Sequence, residues 1–335
     1  MKKDSVQFTP EFISEYVRHF QKSRILLTAI ELNVFCFIDD KPLTSAEAAK
    51  KLNTNARATD RLMNALTALG FIKKAHNKFS NTKFSSKYLV NGKPDYMAGL
   101  IHSAGMWDTW STLTDCIRKG CSVYKRPKLI NNRSKKWLGD FISAMHYRAR
   151  QQAPAIVKLL DLTNVKRVLD VGGGSGFYAM AFTDARKKIT ATVYDLPNVL
   201  PITKNFIRQH GFEKKVDTFA GDYNLNDLPK GYDLIFISAV VHINSYRDNV
   251  KLMKKCVKAL NPGGTVVIQD HIMNEDRAAP APGAMFALNM LVGTDEGDTY
   301  TETEIKDWFL KAGIKFIKQI PSVTGNSLII GRKNS

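Results

Sequence analysis

The clearest capacity for chemistry lies in a run of glycines behind an acid, Val168-Leu169-Asp170-Val171-Gly172-Gly173-Gly174-Ser175-Gly176. Its apolar start reads as a buried strand, and the glycines let the backbone turn and approach a ligand closely. A lone GxGxxG would point only weakly to a dinucleotide. Here the acid stands two positions before the first glycine, so the pattern is D-x-G-x-G-x-G. Two more acids close the strands that follow. Asp195 ends Val193-Tyr194-Asp195-Leu196-Pro197, 19 residues after Gly176, where a carboxylate can accept both hydroxyls of a ribose. Asp222 ends a third strand, in Ala220-Gly221-Asp222-Tyr223. Any one of these acids could simply cap a helix or a turn. Three at successive strand ends are hard to assign to capping, and open α/β sheets bind ligands at that edge.

The elements that must position these residues alternate from Lys166 onward. Strand candidates are 167–171, 190–194, 216–220, 234–238, 265–269, 315–319 and 327–330, with helical patterns in most gaps. That alternation predicts a doubly covered, mostly parallel α/β sheet of Rossmann-like type. The last two strands are separated only by residues 320–326, a gap that suits a hairpin and so one antiparallel edge strand. The first 95 residues read differently. Thr44-Ser45-Ala46-Glu47 is a capping box that opens a short helix ending near Asn53. A second helix runs from about 55 to 69, and Gly70 stops it. Residues 71–74, a turn at His76-Asn77 and residues 78–80 make a two-stranded wing. The N-terminal domain is therefore all-helical apart from its wing, a winged-helix pattern. The expected organisation is a winged-helix domain at 1–95, a helical connector at 96–160, and a ligand-binding α/β domain at 161–335.

Composition bounds the rest. The chain has 335 residues, 44% of them hydrophobic and 24% charged, an ordinary globular balance. No apolar run reaches the ~18 residues of a membrane helix, and the start lacks the apolar core of a signal peptide. The four cysteines, Cys36, Cys116, Cys121 and Cys256, form no CxxC pair, so neither a metal site nor a disulfide framework is expected. A cytoplasmic protein with reduced thiols and no membrane insertion follows as the default. The net charge is +18. Residues 101–160 alone carry 11 basic and 3 acidic side chains. Such an excess suits nucleic acid, an anionic surface or an acidic small substrate. The basic residues are spread out, which favours an ordinary solvated surface.

The glycine stretch resembles motif I of class I S-adenosylmethionine-dependent methyltransferases. The resemblance covers nearly the whole chain. It points to the plant caffeate/acetylserotonin-type O-methyltransferases and their bacterial relatives in the secondary metabolism of antibiotics and pigments. Its most specific pieces are VLDVGGGSG, YDLPNV, AGDYN, SAVVHINSYRDNVKLMKKCVKALNPGG and TYTETEIKDWFLKAGI. It implies S-adenosylmethionine as cofactor and S-adenosylhomocysteine as product. Asp170 would face the charged amino-acid end, Asp195 the ribose and Asp222 the adenine amino group, with Gly172, Gly174, Leu196, Tyr223 and Ser238 completing the site. It also implies a homodimer built on the winged-helix half, rather than a DNA reader. The family's base is the histidine of a His-Asp-Trp sequence, here His242 in Val240-Val241-His242-Ile243-Asn244. A histidine pKa near 6.5 suits a base at neutral pH. One acidic helper matches Asp270. The other, a glutamate in the family, falls at Thr299, with Asp298 beside it.

The resemblance places the acceptor wall in the connector and in the apolar helix around Met285-Phe286-Ala287-Leu288-Asn289-Met290. The expected contacts are Met106, Trp110, Met145, Met285 and Asn289, which suit a flat aromatic or conjugated small molecule. Methyl transfer to its hydroxyl is the leading reading. Carbon methylation and cofactor binding without methylation are alternatives, since one acid is lost. A ligand-sensing, DNA-binding regulator is another. Against it, the helix at 54–69 offers Arg57 and Arg61 but no basic cluster for groove readout. Base methylation of nucleic acid lacks its Asn-Pro-Pro-Tyr-like or Pro-Cys motif, so no nucleic-acid partner is expected.

Overall fold

A computed structural model of the chain describes residues 8–124, 135–321 and 326–333. Two compact units divide between Met106 and Trp107, inside the 96–160 segment.

In the first unit, the capping box forms as its residues dictate. The Thr44 side chain accepts the Glu47 N–H at 3.2 Å, and Glu47 accepts the Thr44 N–H at 2.8 Å. The helix Ser45–Leu52 follows, then the helix Ala56–Ala68. Gly70 closes it at φ +79°. Strands β1 (Ile72–Ala75) and β2 (Lys78–Asn81) pair antiparallel across the His76-Asn77 turn, where both residues have positive φ. Leu43, Met63, Leu66, Ile72 and Phe79 fill a core between these elements. The long helix Pro10–Glu31 enters that core through Leu27 and Ile30, while Ile13, Tyr16, Val17 and Phe20 remain exposed.

In the second unit, the strands are β3 (Arg167–Val171), β4 (Thr190–Asp195), β5 (Val216–Ala220), β6 (Tyr232–Ser238), β7 (Leu260–Asp270), β8 (Ile272–Met273), β9 (Tyr300–Thr301), β10 (Ile314–Ile320) and β11 (Ser327–Lys333). A seven-stranded sheet runs in the order β10-β11-β7-β6-β3-β4-β5. Its five strands from β7 to β5 are parallel. The expected antiparallel edge is a hairpin: β11 runs against β7, and β10 covers it at the rim. The pair β8–β9, two residues on each side, lies outside that sheet and has no signal in the sequence pattern.

Apolar residues on both sheet faces build two cores. One centres on Ile235, Ile237, Val266, Ile268 and Trp308. The other centres on Val168, Phe182, Phe236 and Val267, with Ala153 and Ile156 of the helix Lys135–Lys158. Near-continuous apolar strands are what burial on both faces requires. Phe236 is fully buried, with its ring 4.7 Å from that of Tyr178 and 5.3 Å from that of Phe182. Phe236→Ala is expected to cost about 3–5 kcal/mol. A denaturant midpoint equal to wild type would contradict this account of the core.

Candidate active site

β3 ends at the glycine loop, and space explains the glycines. At Gly172, with φ +69°, an added Cβ would stand 2.7 Å from Val240. At Gly173 it would stand 2.6 Å from the Asp170 carboxyl carbon. The loop thus brings bare backbone against the carboxyl ends of β3 and β4. The Gly174 N–H donates to Asp195 at 2.8 Å, and the Leu196 N–H donates to its other oxygen at 2.7 Å. Leu196 also joins an apolar cluster with Leu138, Phe141, Ile142 and Val199.

The three acids at this edge differ. Asp170 is 1% exposed, and neither of its oxygens has a hydrogen-bond partner. Burial pushes its carboxyl up to about 7; the Ala179 N–H opposes this from outside bonding geometry, and the charge of Asp195 adds to it. Asp195 is pushed up to about 6 by burial, against the pull of its two backbone donors. Among the described residues, neither acid pairs with a cation. Asp222 accepts the Asn224 N–H at 2.8 Å, so one of its oxygens braces its own turn. A buried carboxyl with no partner, beside a cradle that has no room for a Cβ, fits a ligand that brings positive charge and hydroxyls of its own.

One strand along, β6 leads into a short turn, Val241–Ile243. Ala239 opens it at φ +55°, a left-handed conformation that costs an alanine about 1–3 kcal/mol and gathers at functional sites. The turn places His242 against the end of β7. Its Nδ1 lies 2.8 and 3.0 Å from the two oxygens of Asp270, and both residues are buried. Burial alone would raise the Asp270 carboxyl. The pairing with His242 and the His271 N–H outweigh it and hold Asp270 below its ordinary value. An ionised Asp270 can only accept, so in the neutral form of the ring Nδ1 carries the proton and Nε2 presents its lone pair. Nε2 has no hydrogen-bond partner among the described residues and is not sealed from solvent.

The turn is held on several sides. The Asp298 N–H donates to the His242 carbonyl at 3.0 Å, and the Tyr300 hydroxyl donates to the Asn244 carbonyl at 2.6 Å. Asn244 stands where the family motif has tryptophan. Its side chain donates to Asn249 at 3.0 Å and accepts from the Tyr223 hydroxyl at 3.1 Å. Thr299 is buried at the family's glutamate position. Asp298 does not replace that acid: its carboxylate accepts from Arg277 at 3.1 Å and from the Thr299 N–H at 2.7 Å. Ser238 donates to the buried Gln269 at 3.0 Å.

Of the residues expected at the acceptor wall, Trp110 and Asn289 meet. The indole N–H donates to the Asn289 side chain at 3.0 Å. Met145 is partly buried on the helix Lys135–Lys158, and Met285 is 58% exposed on the helix Ala281–Gly293. Met106 is the last residue of the first unit. Two residues that sequence reasoning passed over stand beside the His242–Asp270 pair. The Phe286 ring lies edge-on to His242 at 4.8 Å, and His271 lies 4.4 Å from that same ring. Period and spacing mark Phe286 only as an apolar helix residue, and His271 carries no motif at all. Among the described residues, no cluster of metal-ligating side chains occurs, and no helix is long and apolar enough to cross a membrane.

Residues 110–315 match the family model described as an O-methyltransferase domain, and residues 14–91 match the O-methyltransferase dimerisation domain. The chain belongs to the O-methyltransferase family. It is an S-adenosylmethionine-dependent enzyme. It is 29% identical to 3-hydroxy-5-methyl-1-naphthoate 3-O-methyltransferase of Streptomyces sahachiroi, over 97% of this chain and 95% of that one. It is 27% identical to the tetracenomycin polyketide synthesis 8-O-methyl transferase TcmO of Streptomyces glaucescens, over 97% of both. The solved structure of human N-acetylserotonin methyltransferase in complex with SAM superposes with a TM-score of 0.84, at 25% identity and with 100% of both chains covered. This membership sets aside the reading as a DNA-binding regulator.

The raised acids make stability depend on pH. Unfolded Asp titrates near 3.9, roughly three units below folded Asp170. Between those values the folded protein binds the extra proton, so the stability it confers is complete below about pH 4 and is lost as pH rises to about 7. Ligand-free Asp170→Asn is therefore expected to melt above wild type at pH 8 and to converge with it near pH 4. A melting difference that does not change with pH would show that Asp170 is not buried as described.

Proposed function

We propose that the enzyme methylates a hydroxyl of a small aromatic or conjugated metabolite, with His242 as general base and Asp270 as the residue that orients it and stabilises its charge. The carrying observation is the buried His242–Asp270 contact, which leaves Nε2 free at the end of the central strands. The two Streptomyces relatives, named for a hydroxynaphthoate and a polyketide, support an aromatic acceptor.

Asp170, Gly172, Gly174, Asp195, Leu196, Asp222, Tyr223 and Ser238 would hold the cofactor. The unpartnered Asp170 carboxyl would meet its cationic end, and Asp195 its ribose hydroxyls. Bound S-adenosylmethionine supplies a methyl group already activated by a positive sulfur. What remains for the protein is to align the acceptor and to make its oxygen nucleophilic. Trp110, Met145, Met285 and Asn289 would flank the acceptor, and good alignment of reacting groups can gain about 7–11 kcal/mol. His242 Nε2 takes the hydroxyl proton, the imidazolium is stabilised by Asp270, and the proton then passes to water. Such a base contributes roughly 10²–10⁴-fold. His242→Gln is expected to slow methyl transfer by about that factor while S-adenosylhomocysteine affinity, measured by calorimetry, stays at the wild-type value. Full activity in the variant would rule His242 out as the base.

The dimerisation domain supports a homodimer. The helix Pro10–Glu31 leaves Ile13, Tyr16, Val17 and Phe20 exposed along its outer length, and an aromatic and aliphatic stripe of that kind marks an interaction face. Light scattering at micromolar concentration is expected to give twice the chain mass, and Tyr16→Asp with Val17→Asp to halve it. A monomeric wild type would refute the assignment.

A further inference from the structure

Arg148 is a partly buried guanidinium whose partner is neutral. It donates to the Asn326 side chain at 3.2 Å, and among the described residues no carboxylate pairs with it. Its place is informative. Asn326 precedes Ser327, which stands opposite Asp270 in the β11–β7 ladder. One helical turn beyond Arg148, Gln152 accepts from Gln269 at 3.3 Å, and Gln269 is the neighbour of Asp270. This face of the helix Lys135–Lys158 therefore lies over the ends of β7 and β11. The glycine loop belongs to β3, two strands away, roughly 10 Å at ordinary strand spacing. There the helix offers Ile142, nearly two turns before Arg148. The guanidinium is thus on the side of the His242–Asp270 pair, and its charge also reaches Tyr178 at the start of the helix that leaves the glycine loop.

His271 stands on the same side. Its N–H donates to Asp270 at 2.8 Å, and its ring packs on Phe286, which also touches His242. Neither ring nitrogen has a hydrogen-bond partner among the described residues: Nδ1 is sealed in, and Nε2 reaches solvent. Burial pulls this histidine down to about 4; Asp270 opposes the pull, and Arg148 and His242 add to it. The ring is neutral at pH 7 and can present an N–H without adding charge.

We infer that the acceptor carries a carboxylate on its ring system, which docks on Arg148 with His271 as a neutral hydrogen-bond donor, and that this contact selects the hydroxyl turned toward His242. The inference rests on the proposed O-methyl transfer. A guanidinium is suited to the task, since its planar fork matches a carboxylate with two parallel hydrogen bonds. The overall charge favours an anion. The helix Lys135–Lys158 carries five basic side chains and one acidic, in a chain of net charge +18, which attracts anionic ligands.

Matched probes test this: 3-hydroxy-2-naphthoate against 2-naphthol, and 3-hydroxybenzoate against phenol, each pair differing only in the carboxylate. Methyl transfer from labelled S-adenosylmethionine is measured, together with binding in the presence of S-adenosylhomocysteine. Wild type is expected to prefer the carboxylate member by about 10–100-fold, the range of one charge-assisted contact. Arg148→Met should bring the pair to within about twofold at unchanged S-adenosylhomocysteine affinity, and Arg148→Lys should keep part of the preference. Equal binding of the two members, preference for the neutral one, or no carboxylate binding overturns the inference. So does an Arg148→Met variant that loses S-adenosylhomocysteine affinity as steeply as turnover, because the guanidinium would then serve the cofactor's own carboxylate. Carboxylate-selective binding without methylation of any probe would uphold the Arg148 site and count instead against hydroxyl methylation.

Discussion

Strands β7, β6, β3, β4 and β5 lie side by side and run in one direction. Parallel neighbours cannot be joined by tight turns; each connection must cross back over the sheet. Every strand therefore delivers its carboxyl end to the same edge, whatever its place in the chain. Asp170, Asp195, Asp222, Ser238 and Asp270 are spread over 101 positions, yet all sit at that edge. The glycine loop and the His242 turn also leave from it, so one constraint on backbone direction assembles nearly all the polar groups of the site.

The same edge shows how a partner decides the fate of a buried acid. Asp170 and Asp270 are both 1% exposed. Asp170 has no partner and is pushed up to about 7, whereas Asp270 touches His242 and accepts the His271 N–H, and is held below its ordinary value. Desolvation is common to both, and the paired charge and hydrogen bonds make the difference. One acid is left without a hydrogen-bond partner. The other is committed to the histidine and fixes which of its nitrogens bears the proton.

Around His242 the turn depends on groups distant in sequence. Asn244 links Tyr223 and Asn249, Tyr300 and Asp298 close over the turn carbonyls, and the short β8–β9 ladder holds their segment in place. The change from His-Asp-Trp to His-Ile-Asn thus puts a hydrogen-bonding amide at the centre of the support. Thr299, in place of an acid, leaves Asp270 as the carboxylate in contact with His242.

Local information determined much of this. The apolar period, the glycine loop and the acids at strand ends specify β3, β4 and β5, and the structure returns them within a residue. The capping box at Thr44 and the Asn77 turn depend on neighbours a few residues away, so they are legible in the sequence alone. The His242 and Asp270 pair was legible only through resemblance, because nothing in their spacing of 28 residues says that they touch. His271 and Arg148 were not legible at all, and Phe286 only as one residue of the apolar helix that the resemblance places at the acceptor wall. An apolar residue on an apolar helix reads as core, and a single histidine or arginine has no period. Their meaning depends on which strand ends and helix faces meet, and only the packing of the helices Lys135–Lys158 and Ala281–Gly293 at the strand ends decides that.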